Sequence, residues 1–288
     1  MKLGYCSWLL GGKPLPEIFE FLHSEGCTCT SILQNIILFD PVQKAEAAAV
    51  LKQYGMTLCV HGNVQHTLSK DRKSYDMDLL QRIYDEIDWW QEVTGGLVYD
   101  CFSDSVNYRN DDDTPCAALD VTFDIFAHHA AHFAGSKIRY GIENTCGSKD
   151  PHDVSFYNCD YRFQEAFDKF GAAKNAGMLL DVGHAYVASL SQGIDFETYL
   201  DSIPFEICEL HITDNHGKWD EHLKPGAGTL DYRALKSAMS KRGFDGPVNM
   251  EVCKNIGEGI YGFDLSQQAD FDFIRTVLAE ARDLFADW

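Results

Sequence analysis

The segment from Glu209 to Asp231 carries the densest group of chemically capable side chains in this sequence. Cys208, Leu210 and Ile212 alternate with polar residues, and this period of two predicts a strand. The loop after the strand holds imidazoles and carboxylates: Asp214, His216, Asp220, Glu221 and His222. Such side chains crowded at a strand end indicate a metal site or acid–base catalysis. A solvated acidic loop is the alternative, because polar loops are common on protein surfaces.

The elements that must position these side chains alternate between strand and helix along the 288 residues. Hydrophobic periodicity predicts strands at 3–7, 27–33, 56–61, 96–101, 137–143, 177–181, 208–213 and 246–252. It predicts helices at 16–25, 41–54, 75–93, 116–133, 162–173, 195–202, 232–241 and 264–285. This order predicts an α/β fold, a (β/α)₈ TIM barrel, as a single domain over residues 1–288. A doubly wound open sheet is the alternative, although no GxGxxG follows the first strand.

The residues at the C-terminal ends of the predicted strands show whether a functional site is present, because barrel active sites lie at that face. Strand residues alternate between the barrel interior and the helix layer, so apolar neighbours identify which side chains face inward. Five strands end on an inward histidine or carboxylate: His61, Glu143, Asp181, His211 and Glu251. A buried carboxylate needs a partner, and one divalent metal ion would satisfy the whole group.

Composition limits the class of protein. The formal net charge of −20 speaks against tight binding to nucleic acid, where Lys and Arg neutralise phosphates. No apolar run approaches a membrane span and the N-terminus lacks a secretory signal pattern, so a cytoplasmic protein is the simplest interpretation. The ten cysteines contain no CxxC pair, and we expect reduced, small core residues.

Three further polar segments invite a functional interpretation. His128, His129 and His132 lie on a predicted helix far from any strand end, so we predict a structural role for them. The aspartates at 111–113 are typical of a solvated turn. The long loop predicted at 144–161 is typical of a functional lid.

Four segments of the sequence resemble the xylose-isomerase-like TIM-barrel superfamily, and within it the sugar phosphate isomerase/epimerase branch. They are GIENT (141–145), DVGH (181–184), HITDNHGKWDEHLKPGAGTLDY (211–232) and NMEV (249–252). The similarity spans essentially the whole chain, and the third segment is its most specific part. The superfamily also includes xylose isomerase, ketose 3-epimerases, inosose-processing enzymes and endonuclease-IV-type AP endonucleases.

The resemblance implies a metal site and a set of roles around it. Four residues would bind one divalent ion, Mn²⁺, Zn²⁺, Co²⁺ or Mg²⁺: Glu143, Asp181, His211 and Glu251. Glu143 and Glu251 would also act as catalytic base and acid. Three histidines would bind substrate: His61, His184 and His222. His184, at the D-x-x-H position, would alternatively contact a second metal.

A comparison with the nuclease members leaves a second possibility open. Asp220 and His222 match the D-x-H that holds further zinc in those enzymes, and His61 matches another nuclease ligand. A further expected histidine is absent, because the fourth strand ends Val98-Tyr99-Asp100-Cys101. This departure argues against a complete trinuclear zinc site.

The resulting hypothesis is a metal-dependent isomerase or epimerase of a sugar, keto-sugar or cyclitol, acting by proton transfer through an enediolate. Trp8 and Phe102 could line an apolar wall or belong to the core. The alternatives are a sugar lyase or dehydratase on the same metal site, an AP endonuclease, and a non-catalytic metabolite-binding barrel. We expect a small-molecule partner, no nucleic acid, no membrane and a possible homo-oligomer.

Overall fold

The structure is a computed structural model that describes residues 2–33, 40–62, 67, 69, 74–103, 118–144, 167–168, 175–256, 259–286 and 288. The aspartates at 111–113, nearly all of the predicted lid and most of the helix predicted at 162–173 lie outside these residues. The side chain of Phe102, predicted to line a wall, also lies outside the described part.

Eight parallel strands form the central sheet. They are β1 (Lys2–Tyr5), β2 (Cys29–Leu33), β3 (Thr57–His61), β4 (Val98–Ser103), β5 (Arg139–Glu143), β6 (Ala176–Asp181), β7 (Ile207–Ile212) and β8 (Pro247–Met250). Consecutive strands pair in parallel from β2 to β8, and β8 pairs with β1. β1 and β2 approach through a parallel bridge between Cys6 and Ser31. This nearly closed barrel confirms the predicted (β/α)₈ fold.

Helices surround the sheet, and several of them begin directly after an aspartate that caps the first turn. They are α1 (Leu15–Ser24), α2 (Pro41–Tyr54), α3 (Met77–Thr94), α4 (Ala118–His132), α5 (Val182–Gln192), α6 (Phe196–Ser202), α7 (Tyr232–Arg242) and α8 (Gln268–Leu284). Aspartate side chains accept first-turn N–H groups at five helix starts: Asp40, Asp76, Asp181, Asp195 and Asp231. Among the described helices, none has the length and apolar character that crossing a bilayer requires.

Two of the described helices differ clearly from the sequence prediction. Helix α5 was not predicted, because Gly183 and the β-branched Val182 and Val187 have low helix propensity; Asp181 nevertheless caps it directly at the end of β6. The last helix was predicted from 264, but Phe263–Asp264 pairs in parallel with Leu10–Gly11. That short sheet delays the start of α8 to Gln268.

The apolar strand residues pack outward against the helices, whereas the barrel interior below the rim is small and polar. Buried side chains in this interior layer include Cys29, Cys59, Asp100, Leu179, Glu209 and Asn249. β1 contributes Gly4, where a Cβ atom would lie 2.2 Å from Asn249 Oδ1. Only a glycine fits there, so the interior is closely packed beneath the site.

Candidate metal and active site

The C-terminal edge of the barrel gathers the five side chains that the sequence singled out. His61, Glu143 and Asp181 are the last residues of β3, β5 and β6. His211 is the penultimate residue of β7. Strand β8 ends at Met250 rather than 252 as predicted, so Glu251 follows the strand; its N–H still donates to Ile212 O at 3.0 Å.

Three overlapping groups connect these side chains. His61, Glu143 and His211 offer ligand atoms that lie within 4.8 Å of one another, as do Glu143, Asp181 and His184. Cys6, His211 and Glu251 form a third such group. Because Glu143 and His211 each belong to two groups, the four predicted metal ligands form one continuous cluster.

Glu143 lies between two histidines at the bottom of the mouth. Its Oε2 is 3.4 Å from His61 Nε2, and its Oε1 is 3.8 Å from His184 Nδ1. Burial would raise the pKa of this carboxyl, but the neighbouring His61, His184 and His211 outweigh burial and lower it. Glu143 is therefore held as a carboxylate despite being 3% exposed.

His211 is enclosed and contacts carboxylates at both ring nitrogens. Nδ1 is 2.7 Å from Glu251 Oε2, and Nε2 is 3.2 Å from Glu209 Oε1. Cys6 Sγ is 3.7 Å from Nε2. Burial opposes protonation, but Cys6 and Glu251 outweigh it and raise the pKa of His211 well above its usual value. Burial likewise acts to raise the pKa of Glu251, but His211 lowers it to about 2.

Asp181 has an oxygen that lacks a donor. Its Oδ1 accepts the His184 N–H at 2.7 Å as the cap of α5. Its Oδ2 is buried and has no hydrogen-bond partner among the described residues. Burial raises the pKa of Asp181 to about 7, with further contributions from Asp220, Glu251 and Glu143 against the opposing effect of His184. An orphaned carboxylate oxygen close to other carboxylates fits a cation ligand.

Asp220 bridges two of the predicted substrate-binding histidines. Its Oδ2 is 3.2 Å from His184 Nε2 and 2.5 Å from His222 Nε2. His222 has a left-handed backbone with φ 47°, and its Nδ1 lies 3.0 Å from Glu251 O. Burial opposes protonation of His222, but Asp220 raises its pKa to about 9. The D-x-H pair therefore lies at the rim, beside the predicted ligands.

Other residues of the same loop do not join this cluster. Asp214 accepts the N–H groups of Asn215 at 2.8 Å, Gly226 at 2.8 Å and Leu230 at 3.1 Å, so it anchors the loop. His216 is exposed and pairs with Glu221, with Nδ1 2.9 Å from Oε2. The structure therefore places only Asp220 and His222 of this loop in the cluster. Asp214 anchors the loop, and His216 pairs with Glu221 away from the site.

Four residues near the site were not identified from the sequence. Asn144 fixes the end of β6: its Nδ2 donates to Asp181 O and its Oδ1 accepts the Asp181 N–H, both at 2.8 Å. The others are Cys6, Glu209 and Asn249, which lie inside the barrel. The signal for Glu209 was available, because strand alternation places it inward two residues before His211.

Trp8 lies over the cluster from the loop after β1. Its ring centroid is 5.0 Å from that of His61 and 5.7 Å from that of His211. The indole is half-buried. The position of Trp8 therefore favours the predicted apolar wall over the alternative of a core residue.

Solved structures of similar shape include sugar epimerases. D-psicose 3-epimerase from Clostridium cellulolyticum H10, solved with D-tagatose, is 14% identical, with a TM-score of 0.72 and 99% of each chain covered. The 3-keto-D-glucoside 4-epimerase from E. coli is 16% identical, with a TM-score of 0.70, 98% of this chain and 99% of that chain covered. At these identities the likeness shows the shared fold.

Sequence comparison identifies the family. The uncharacterized protein MJ1311 of Methanocaldococcus jannaschii is 34% identical over 88 residues, which is 31% of this chain and 29% of that protein. The match thus spans less than a third of that relative's length. The family described as xylose isomerase-like TIM barrel matches residues 18–275. The chain therefore belongs to the xylose isomerase-like TIM-barrel family.

Proposed function

We propose that this protein is a divalent-metal-dependent isomerase or epimerase of a sugar, keto-sugar or cyclitol. The observation that carries the proposal is the pair of rim carboxylates Glu143 and Glu251. They lie at β5 and just after β8, three steps apart in the strand order, and the His211 ring lies close to both. This arrangement is suited to moving a proton between the two faces of a bound substrate.

The donor set fits a divalent ion. Three carboxylates and one imidazole would hold it: Glu143, Asp181, His211 and Glu251. The orphaned Asp181 Oδ2 supports this assignment, because a cation would supply its missing partner. When bound, such an ion would polarise a carbonyl oxygen and stabilise the negative charge that develops there.

The protein's own residues would then carry out the proton transfer. Neighbouring histidines lower the pKa of both Glu143 and Glu251, so each carboxylate is ionised and able to accept a proton from carbon. One carboxylate would remove the proton from carbon and could return it on the same face. For delivery to the opposite face, the other carboxylate would first take up a proton from solvent and then donate it to carbon as the acid. Return to the opposite face inverts the carbon centre, and return to the neighbouring carbon converts an aldose to a ketose.

Substrate orientation would fall to the histidines on the outer side of the cluster. His61, His184 and His222 are each at least partly buried and present imidazole nitrogens beside the carboxylates. Imidazoles donate and accept hydrogen bonds, which suits recognition of adjacent hydroxyl groups. The names of the structural neighbours, which are sugar epimerases, support this substrate class.

A zinc-dependent AP endonuclease is the second candidate. The observation in its favour is Asp220, which lies against both His184 and His222 and could hold additional ions with them. The net charge of −20 opposes binding to the DNA backbone. Nicking of a duplex that contains an abasic site would support the nuclease.

Deuterium exchange tests the proposal. The purified protein, supplied with Mn²⁺, Co²⁺, Zn²⁺ or Mg²⁺, would be incubated in D₂O with a panel of ketohexoses, ketopentoses, 3-keto-glycosides and inososes. We expect metal-dependent loss of a substrate C–H signal next to the carbonyl, or formation of the epimer or isomer. Cleavage of abasic DNA with no change at any sugar C–H bond would contradict the proposal.

A further inference from the structure

We propose that Glu209 is a positioning residue that fixes the orientation and the tautomer of His211 from inside the barrel. The inference rests on the proposed metal function, because it concerns how His211 is presented to the ion. Glu209 and His211 both face inward on β7, and neither is exposed to solvent.

Glu209 contacts the His211 ring on the side opposite to Glu251, which is one of the predicted metal ligands. Glu209 Oε1 is 3.2 Å from His211 Nε2, whereas Glu251 Oε2 is 2.7 Å from Nδ1. Glu209 Oε1 is itself held by Asn249, whose Nδ2 donates to it at 2.6 Å. Gly4 on β1 leaves the room that Asn249 occupies, because a Cβ atom at this position would lie 2.2 Å from Asn249 Oδ1.

The chemistry of these groups determines where the proton lies. A carboxylate only accepts hydrogen bonds, and a neutral imidazole carries one N–H and one lone pair. Without an ion, carboxylates lie at both ring nitrogens, and a protonated ring donates to each of them. When an ion takes the Nδ1 lone pair, Glu209 would hold the remaining proton on Nε2. Carboxylates that accept from the remote nitrogen of a metal-bound histidine orient the ring and increase its basicity. Cys6 Sγ is 3.7 Å from Nε2 and is a weaker partner than a charged oxygen.

A second acidic side chain packs beside Glu209 inside the barrel. Asp100, Glu209 and Cys59 offer ligand atoms within 4.8 Å of one another. Burial, with Glu209 next in effect, raises the pKa of Asp100 well above its usual value. Asp100 and Glu209 are both buried in the closed interior beneath the rim.

Metal affinity of variants is the first test. Glu209→Leu removes the acceptor with little change in volume, and we expect the dissociation constant for Zn²⁺ or Mn²⁺ to rise about 10–100-fold. Glu209→Gln keeps an acceptor oxygen without charge and should fall between that variant and the wild type. Glu197→Gln is the matched control, since Glu197 is an exposed partner of Lys241. Leu179→Ala, a cavity in the same interior layer, controls for destabilisation alone.

The outcomes separate this inference from the proposed function. Wild-type protein that binds no divalent ion would overturn both. Wild-type protein that binds the ion, with Glu209→Leu equally tight, would overturn only the role of Glu209. A loss in Leu179→Ala as large as in Glu209→Leu would also overturn it, because the effect would then be general packing.

The tautomer of His211 provides a second test. It uses the wild-type protein, so it does not depend on whether Glu209 variants fold. Ring ¹⁵N spectra of the wild type loaded with diamagnetic Zn²⁺ would show which nitrogen carries the proton, with the His211 signals identified by their absence in His211→Gln. We expect Nε2–H, with Nδ1 shifted by the ion. A spectrum with Nδ1–H and Nε2 bound to zinc would overturn the inference.

Discussion

At the scale of single residues, the site works by pairing buried carboxylates with imidazoles. Glu251 and His211 stabilise each other's charged forms, and so do Asp220 and His222. Asp181 Oδ2 has no such partner in the part of the chain that the structure describes, and the pKa of Asp181 rises to about 7. Carboxylates that are compensated are suited to accept protons, whereas the uncompensated one is suited to hold a cation.

Glu251→Gln tests the proton-transfer role. We expect kcat to fall about 10²–10⁴-fold because a general acid–base group is lost, while substrate binding changes less than about tenfold. Steady-state kinetics on the substrate found by deuterium exchange measures both. Glu197→Gln serves as the control. Near-normal kcat in both Glu143→Gln and Glu251→Gln would contradict the assignment.

Asp220→Asn tests the electrostatic bridge at the rim. Asp220 raises the pKa of His222 to about 9, so the amide should lower the ¹H NMR titration midpoint of His222 by more than about one unit. The titration is carried out on metal-free protein so that only the carboxylate is changed. An unchanged midpoint would show that Asp220 does not control His222.

At the scale of elements, loops and helix starts hold the reactive side chains in place. The segment between β7 and α7 closes on Asp214, and Gly228 allows the approach, since a Cβ atom there would lie 2.4 Å from Asp214 Oδ1. Asp181 serves both as a rim carboxylate and as the cap of α5. Asp181 thus contributes both to the stability of α5 and to the candidate metal site.

Asp214→Ala should destabilise the protein more than the loss of an ordinary helix cap. It leaves several N–H groups of a buried loop without an acceptor, so we expect the free energy of unfolding to fall by about 2–4 kcal/mol. Asp76→Ala, which removes the exposed cap of α3, should lower it by about 1 kcal/mol. Urea denaturation compares the two variants. Equal losses would contradict the anchoring role.

His129 on α4 should make stability depend on pH. Burial, with smaller effects from His132 and His128, lowers its pKa to about 3, and its Nδ1 has no partner among the described residues. The unfolded chain binds a proton below about pH 6.5, so stability falls with decreasing pH, by about 2 kcal/mol at pH 5.

Urea denaturation at pH 7 and pH 5 checks this pH dependence. His129→Phe keeps an aromatic ring without a titrating group, so its stability should change about 2 kcal/mol less between the two pH values than that of the wild type. His128→Gln, at an exposed position, is the matched control. The same pH dependence in His129→Phe and in the wild type would contradict the account.

At the scale of the whole molecule, the barrel and its rim could be predicted because strand alternation fixes both. Inward positions at strand ends identified His61, Glu143 and Asp181 without knowledge of their neighbours. The acidic interior was missed. Strand alternation shows that a residue such as Glu209 faces inward, but it does not show whether that residue lies at the rim or below it. Helix α5 was missed because Gly183 and the β-branched Val182 and Val187 have low helix propensity. A single domain, a cytoplasmic location and a homo-oligomer stay predictions.

Metal content measures the central claim most directly, because it needs no knowledge of the substrate. Purified wild-type protein and His211→Ala would be loaded with Mn²⁺, Zn²⁺, Co²⁺ or Mg²⁺, dialysed and assayed by elemental mass spectrometry. We predict about one tightly held ion per wild-type chain and loss of most of it in His211→Ala, since removal of one of few ligands weakens the site. No retained ion in the wild type, or equal content in the two proteins, would contradict the account.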